Sequence, residues 1–271
     1  MLKTEMRNPN TMHIDKMTSR EMVAAMAREN YRAAEAVEEQ ADTIAIAVDM
    51  VTQAFNTGHR LFFIGCGTSG RLGVLDAVEC PPTYGADPSM VQGIIAGGER
   101  RMFGASEDEE DKHDNGRLDV EARGVSAGDV VVGVSVAGGA AYVVGGLQRA
   151  KELGASTIAL TCNDNSPIAA VSDLAIVTDT GAEVITGSTR LKAGTAHKMV
   201  MNMLTTCAMV KTGRVYENMM VNLKPYNIKL RQRVINIVSD ICNCDQQKAI
   251  ELLDATNWEI RAAAEAYRSQ N

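Results

Sequence analysis

Leu61-Phe62-Phe63-Ile64-Gly65-Cys66-Gly67-Thr68-Ser69-Gly70-Arg71 decides the fold. A short apolar run ends in a glycine-rich turn that opens onto the helical stretch from Arg71 to Glu79, which is how a strand hands over to a helix in a parallel sheet. Four further runs repeat that rhythm: Val91 to Ala96, Asp129 to Ser135, Ser156 to Thr161 and Leu174 to Thr178. Their apolarity is continuous rather than alternating, so both faces are expected to be buried. The reading is an α/β fold with a five-stranded parallel sheet flanked by helices, and ligands in such sheets sit at the carboxyl ends of the strands.

Working outward, Thr18-Ser19-Arg20-Glu21 has the form of a capping box. It should open a helical flank, single or broken in two, that runs to about Phe55 and ends near Gly58. Its apolar face is too large for a lone helix to hide, so either this chain or a second copy covers it. Downstream, Tyr142 to Leu153 reads as a helix closed by Gly154. A long Met-rich helix is expected from Ser188 to Gly213, another from Pro225 to Asp240, and a compact group of short helices from Asp245 to Tyr267. The expected domains are 1–57, a helical flank; 58–240, the sheet domain; and 241–271, a small helical module.

Composition narrows the function. The 271 residues carry a net charge of −7, and only 4% are aromatic, with one Trp. That surface repels phosphate backbones and offers few stacking platforms, so nucleic acid is not an expected partner. None of the six cysteines has the CxxC spacing of metal or redox sites. No apolar run approaches the ~20 residues that span a bilayer. The expectation is a cytoplasmic, reduced, soluble protein without membrane contact.

Chemistry concentrates in three glycine-rich or polar clusters. The Gly65 to Arg71 turn suits a phosphate, because backbone N–H groups and a helix N-terminus face inward and the missing Cβ atoms allow close approach. It also fits GxGxxG, the dinucleotide signature, yet Ala96-Gly97-Gly98 stands where an acidic ribose contact would be needed. Gly67 with the hydroxyls of Thr68 and Ser69 better suits the terminal phosphate of a sugar; a bare structural turn is the plainer alternative. The second cluster is Ser135-Val136-Ala137-Gly138-Gly139-Ala140-Ala141. The third runs from Gly181 to Thr195, where Glu183, Ser188, Thr189 and Lys192 form a set of hydroxyls and charges fit for an anionic polyol. Ser188 alone could simply cap the helix. Glu79, at a helix expected to stop before Pro81-Pro82, reads by itself as a solvated helix end, and the run Glu107 to Asp114 as an exposed acidic surface. Two carboxylates reaching one sugar would permit paired acid and base work.

Taken together, Thr4-Glu5-Met6-Arg7-Asn8-Pro9, the Gly65 to Asp76 stretch, Glu79-Cys80-Pro81-Pro82-Thr83, Ile95-Ala96-Gly97-Gly98 and Glu183 to Thr195 resemble the N-acetylmuramic acid 6-phosphate etherase family. That family is built on the sugar isomerase (SIS) fold, a doubly wound sheet. The resemblance covers nearly the whole chain, and the C-terminal helices are similar to a ubiquitin-associated-type module. It implies a lyase of cell-wall recycling that cleaves the D-lactyl ether to give N-acetylglucosamine 6-phosphate and D-lactate, needs no cofactor and works as a homodimer. It assigns the acid to Glu79 and the second glutamate to Glu110, with Glu109 as a competing assignment. One departure stands out. Where the family has Ser-Gly-Arg-Thr-Pro in its second phosphate loop, this chain has Ala137-Gly138-Gly139-Ala140-Ala141, so two hydroxyls and a guanidinium are missing. That loss motivates an alternative, a sugar-phosphate-binding regulator without turnover. His197 stands where the family usually has Gln and reads as structural.

Overall fold

The computed structural model describes residues 2–104, 107–223, 225 and 227–269. Three short 3-10 turns lead into α1 (Ser19–Glu38), which begins with the expected capping box: the Thr18 hydroxyl and the Glu21 carboxylate satisfy each other's backbone amides. The flank is broken in two, with α2 (Ala41–Asn56) following at once. Ala47, Val51 and Phe55 of α2 are buried, so this chain covers much of that apolar face itself.

The sheet comprises β1 (Leu61–Gly65), β2 (Val91–Ile95), β3 (Val130–Val134), β4 (Ser156–Thr161) and β5 (Leu174–Val177), each within two residues of its expected bounds. All pairings are parallel and the order is β2-β1-β3-β4-β5. Every residue of β1 and β3 is buried, which accounts for their unbroken apolar runs. In this order β2 is added on one side of β1 and β3 to β5 on the other, and the switch point between β1 and β3 leaves a crevice beyond their carboxyl ends.

Between the strands lie α3 (Gly67–Tyr84), α4 (His113–Ala122), α5 (Ala141–Glu152) and the short α6 (Pro167–Val171). Helix α3 does not stop at the double proline: Pro81 and Pro82 are inside it. Proline's fixed φ is helical, so the two rings, which remove intrahelical N–H bonds and crowd the carbonyls four residues back, burden the helix without ending it. Gly85 N–H then donates to the Pro81 carbonyl at 2.9 Å and closes the last turn. Helices α4 and α5 touch backbone to backbone because glycines meet there. A Cβ on Gly116 would collide with the Tyr142 carbonyl, and one on Gly145 with the His113 carbonyl.

The long helix α7 (Lys192–Lys211) starts four residues later than Ser188, for a reason given below. A two-stranded hairpin, β6 (Val215–Tyr216) and β7 (Met219–Met220), precedes α8 (Ile228–Cys242), α9 (Gln246–Ala255) and α10 (Ile260–Arg268). Asn227 caps α8 by accepting the Leu230 amide, placing its start after Pro225; the neighbouring Lys224 and Tyr226 lie outside the described residues.

Contacts divide the chain into two compact units. One comprises residues 1–77 and 89–208, so α1 and α2 belong with the sheet instead of forming a flank of their own. Its core gathers Phe62, Ile64, Val131, Tyr142 and Leu147. The other comprises residues 78–88 and 209–271, and its core gathers Val221, Val234, Val238, Leu253 and Ile260, so α8 joins α9 and α10 in it. Among the described residues no helix is long and apolar enough to cross a membrane.

Candidate functional site

A cavity of about 350 Å³ opens where the switch point predicts, beyond the ends of β1 and β3. Cys66, Gly67, Thr68 and Ser69 line one side, Val134 to Ala137 and Ala140 a second, and Gly187, Thr189 and Gly194 a third; Glu110 completes it. Of the residues singled out by sequence, Gly67, Thr68, Ser69, Glu110, Ser135 and Thr189 therefore meet in one place.

Backbone donors separate the three walls. The amides of Gly67, Thr68 and Ser69, at the start of α3, meet no acceptor among the described residues, and neither do those of Ala137 and Ala140 ahead of α5. The α3 N-terminus thus keeps donors for an anion, and the loop ahead of α5 keeps two more, whereas the Tyr142 and Val143 amides of α5 itself are filled by the carbonyls of Glu110 and Ala140. Helix α7 keeps none. Its first two amides, of Lys192 and Ala193, donate to the Glu183 carboxylate at 3.3 and 2.9 Å. The next two reach the carbonyls of Thr189 and Leu191, both at 2.9 Å. Glu183 is fully buried, and burial raises its carboxyl above the usual range. This carboxylate, rather than Ser188, caps the helix, which is why α7 begins at Lys192.

Glu183, Ser188 and Lys192 accordingly do not line the cavity. Lys192 is 3% exposed and its ammonium lies 2.6 Å from the Glu29 carboxylate. No cationic side chain lines the cavity among the described residues. Arg71, at the end of the glycine turn, is also occupied elsewhere: its guanidinium donates to the carbonyls of Arg101, Met102 and Gly104 and so anchors the loop that leads to Glu110.

The two neighbouring glutamates differ sharply. Glu109 is 8% exposed, bonded to Lys112 Nζ at 2.8 Å and close to Arg101; the Lys112 hydrogen bond holds its carboxyl below the usual range despite burial. Glu110 faces the cavity instead. Its main-chain carbonyl accepts the Tyr142 amide at 3.0 Å, so the backbone at Glu110 is tied to the start of α5. Beside it, burial and the charges of Glu110, Glu109 and Asp111 push the Cys66 thiol up to about 12. That thiol is a neutral, non-nucleophilic part of the wall at neutral pH. Sequence reasoning did not single it out as a lining residue, although its place inside the glycine turn was a usable signal.

Ser135 Oγ accepts the Gly138 amide at 3.1 Å, which leaves its hydroxyl proton available to a ligand. Glu79 lies on α3, exposed, and does not line this cavity. The described residues contain no group of three His, Cys, Asp or Glu side chains placed to hold a metal ion.

The parallel 2-1-3-4-5 sheet with its crevice at the switch point is a doubly wound α/β layout, and its family matches make this chain a sugar isomerase (SIS) domain protein. Residues 112–207 match the SIS domain family, and residues 43–151 match the glucokinase regulatory protein N-terminal SIS domain. Among solved structures, phosphoheptose isomerase GmhA from Neisseria gonorrhoeae superposes with a TM-score of 0.55 at 23% identity, covering 70% of this chain and 98% of that one. The Vibrio vulnificus NanR protein, solved complexed with ManNAc-6P, gives 0.50 at 15% identity over 82% and 70%. Closer in sequence are N-acetylmuramic acid 6-phosphate etherases. That of Clostridium beijerinckii is 45% identical over 97% of this chain and 86% of its own length, and that of Vibrio campbellii 47% identical over 97% and 85%. The chain belongs to the N-acetylmuramic acid 6-phosphate etherase family.

Proposed function

We propose that this enzyme is a carbon–oxygen lyase that cleaves the D-lactyl ether of N-acetylmuramic acid 6-phosphate, yielding N-acetylglucosamine 6-phosphate and D-lactate. The observation that carries the reading is the meeting, in one cavity, of the α3 N-terminus with its unfilled amides, the open amides of the loop ahead of α5, the hydroxyls of Thr68, Ser69, Ser135 and Thr189, and the Glu110 carboxylate. Amides and hydroxyls hold the phosphate and sugar, and the carboxylate supplies base chemistry.

In the open-chain aldehyde the C2 proton is acidic. Glu110 removes it, the ether C3–O bond breaks, and Glu79 delivers a proton to the departing lactate oxygen. Water then adds across the C2=C3 bond of the unsaturated aldehyde, its hydroxyl going to C3 and a proton to C2. The sum is substrate plus water giving the two products.

Glu79 reaches a cavity in this scheme as part of a homodimer. Leu75, Val78 and Glu79 share one face of α3 by their spacing. Leu75 is 49% and Val78 57% exposed, an apolar surface that a second copy would cover, carrying the carboxylate with it. We place the reaction in the cytoplasm, among the steps that recycle cell-wall amino sugars. The regulator alternative is not favoured, because relatives that match almost end to end carry the etherase name.

The test is D-lactate release from purified substrate, with Glu79→Ala as control. Release by the wild type and its loss in the variant are expected; no release above the variant overturns the reading.

A further inference from the structure

We infer that Glu29, on α1, is a positioning residue for the cavity wall that carries Gly187, Thr189 and Gly194, and that it acts through Lys192. The inference rests on the proposed function for its kinetic consequence, though not for its structural one.

Lys192 occupies a position that disfavours it twice. It is the first residue of α7, where the helix dipole opposes a cation, and it is almost wholly buried, where an ammonium is costly. What keeps it there is Glu29, 163 residues away in sequence, at 2.6 Å. The Glu29 carboxylate also accepts the side-chain amides of Asn8 at 2.7 Å and Asn10 at 2.8 Å. Burial acts to raise its carboxyl, and Lys192 with the two asparagines outweighs this and holds it below the usual range.

The same cluster grips the wall from its other end. Asn8 Nδ2 donates to the Ala182 carbonyl at 3.0 Å, and Thr11 Oγ1 to the Val184 carbonyl at 2.9 Å. Glu183 then closes the segment on itself through the amides of Lys192 and Ala193. Between these ties, among the described residues, the wall's backbone has only its own turn bonds, from the amides of Ser188, Thr189, Leu191 and Gly194 to the carbonyls of Ile185, Gly187, Ser188 and Thr189 at 2.9, 3.1, 3.4 and 2.9 Å. It belongs to no sheet. Its position relative to the amides of α3 and of the loop ahead of α5 therefore depends on what holds residues 182–184 and 192–193, and Glu29 sits at the junction of both holds. The wall carries ligand contacts and neither carboxylate of the scheme, so a change in its position is expected to show in binding more than in proton transfer.

The experiment uses the full chain with Glu29→Gln, Lys192→Met and the double variant. It reads kcat and KM for lactate release, Kd for N-acetylglucosamine 6-phosphate by calorimetry, and amide exchange of residues 183–194 without ligand. Glu29→Gln is expected to raise KM and Kd about tenfold and exchange of this segment about tenfold, with kcat changed less than about threefold and exchange in β1 and β3 unchanged. The double variant should be no worse than the worse single one, because both remove one tie. A folded Glu29→Gln protein whose KM, Kd and segment exchange match the wild type overturns the inference, as does a lowered melting temperature with KM and Kd unmoved. If Glu29→Gln does not fold, Asn10→Ala removes one exposed bond to the same carboxylate; a shift of about two- to threefold in KM and exchange supports the inference, and no shift overturns it. A wild type that neither releases lactate nor binds the sugar phosphate would sink the proposed function alone, and the exchange measurement would still decide the role of Glu29.

Discussion

The backbone N–H of Tyr142 donates to the carbonyl of Glu110 at 3.0 Å, so the residue that opens the first turn of α5 fixes the chain at the carboxylate facing the cavity. The bond forms because α4 and α5 lie in contact, with Gly116 against the Tyr142 carbonyl and Gly145 against that of His113. Tyr142 itself is fully buried and its hydroxyl donates to Asp119 at 2.5 Å, a second tie between the same helices.

Gly116→Ala should therefore damage both stability and the site. The new Cβ has only backbone to displace, so α4 must shift, at a cost of about 1–3 kcal/mol. A denaturant midpoint measures the first effect, and lactate release under conditions where the variant stays folded measures the second. Full activity in a destabilised variant would show that the α4–α5 contact does not position Glu110.

The neighbouring glutamates should separate cleanly in kinetics. Glu110→Gln keeps size and removes the base, and a loss of about 100-fold or more in kcat is expected. Glu109→Gln replaces a carboxylate already engaged by Lys112 and close to Arg101, and kcat should stay within about threefold. Equal losses in the two variants would mean that the acidic turn acts as a unit.

Strands were readable because parallel strands buried on both faces leave unbroken apolar runs such as Val130 to Val134. The glycine turn was readable too, since close backbone approach leaves its mark in residue type. Three things were hidden. Helix α3 runs through Pro81 and Pro82, where local rules predict a stop, because Gly85 can close the final turn. The polar segment at 183–192 looked like binding equipment, yet Glu183 and Lys192 serve the backbone of α7 and the Glu29 carboxylate; a buried ion pair across 163 residues leaves no local pattern. The choice between Glu109 and Glu110 depends on which one meets Lys112 inside a tight turn, and spacing along the chain does not encode that.

Mixing two inactive variants tests the homodimer and the source of the acid together. If each cavity uses the Glu79 of the other copy, a heterodimer of Glu79→Ala and Glu110→Ala chains contains one intact site. Random reassociation should then restore about a quarter of wild-type lactate release. No restoration, with subunit exchange verified by mass, would mean that both carboxylates come from one chain or that the protein works as a monomer.

His197 gives a pH signature. It is fully buried, its Nε2 lies 3.5 Å from Cys162 Sγ, and no partner among the described residues meets its Nδ1. Burial pushes the imidazole down to about 4. Below the usual 6.5 the unfolded chain takes up a proton that the folded chain refuses, so stability is lost as pH falls from about 6.5 to about 4. The gap corresponds to about 3 kcal/mol. His197→Gln should remove this loss, and urea midpoints at pH 7, 6 and 5 would show a flatter profile. A profile as steep as that of the wild type would mean that other groups titrate in that window.

The second phosphate loop offers a gain-of-function test. Ala137-Gly138-Gly139-Ala140-Ala141 carries no hydroxyl or cation, so a phosphate gains only its amides there. Gly139 is exposed, lacks a left-handed φ, and an added Cβ would meet nothing within 4 Å. Gly139→Arg can therefore place a guanidinium at the cavity mouth without strain. A hydrogen bond to a charged group contributes about 1.5–3 kcal/mol, so Kd for N-acetylglucosamine 6-phosphate should fall about tenfold or more, while Kd for unphosphorylated N-acetylglucosamine stays as it was. The contrast between the two ligands carries the argument, because a general charge effect on folding would move both. Tightening of neither would show that the phosphate is held away from this loop, by the α3 turn with Thr68 and Ser69.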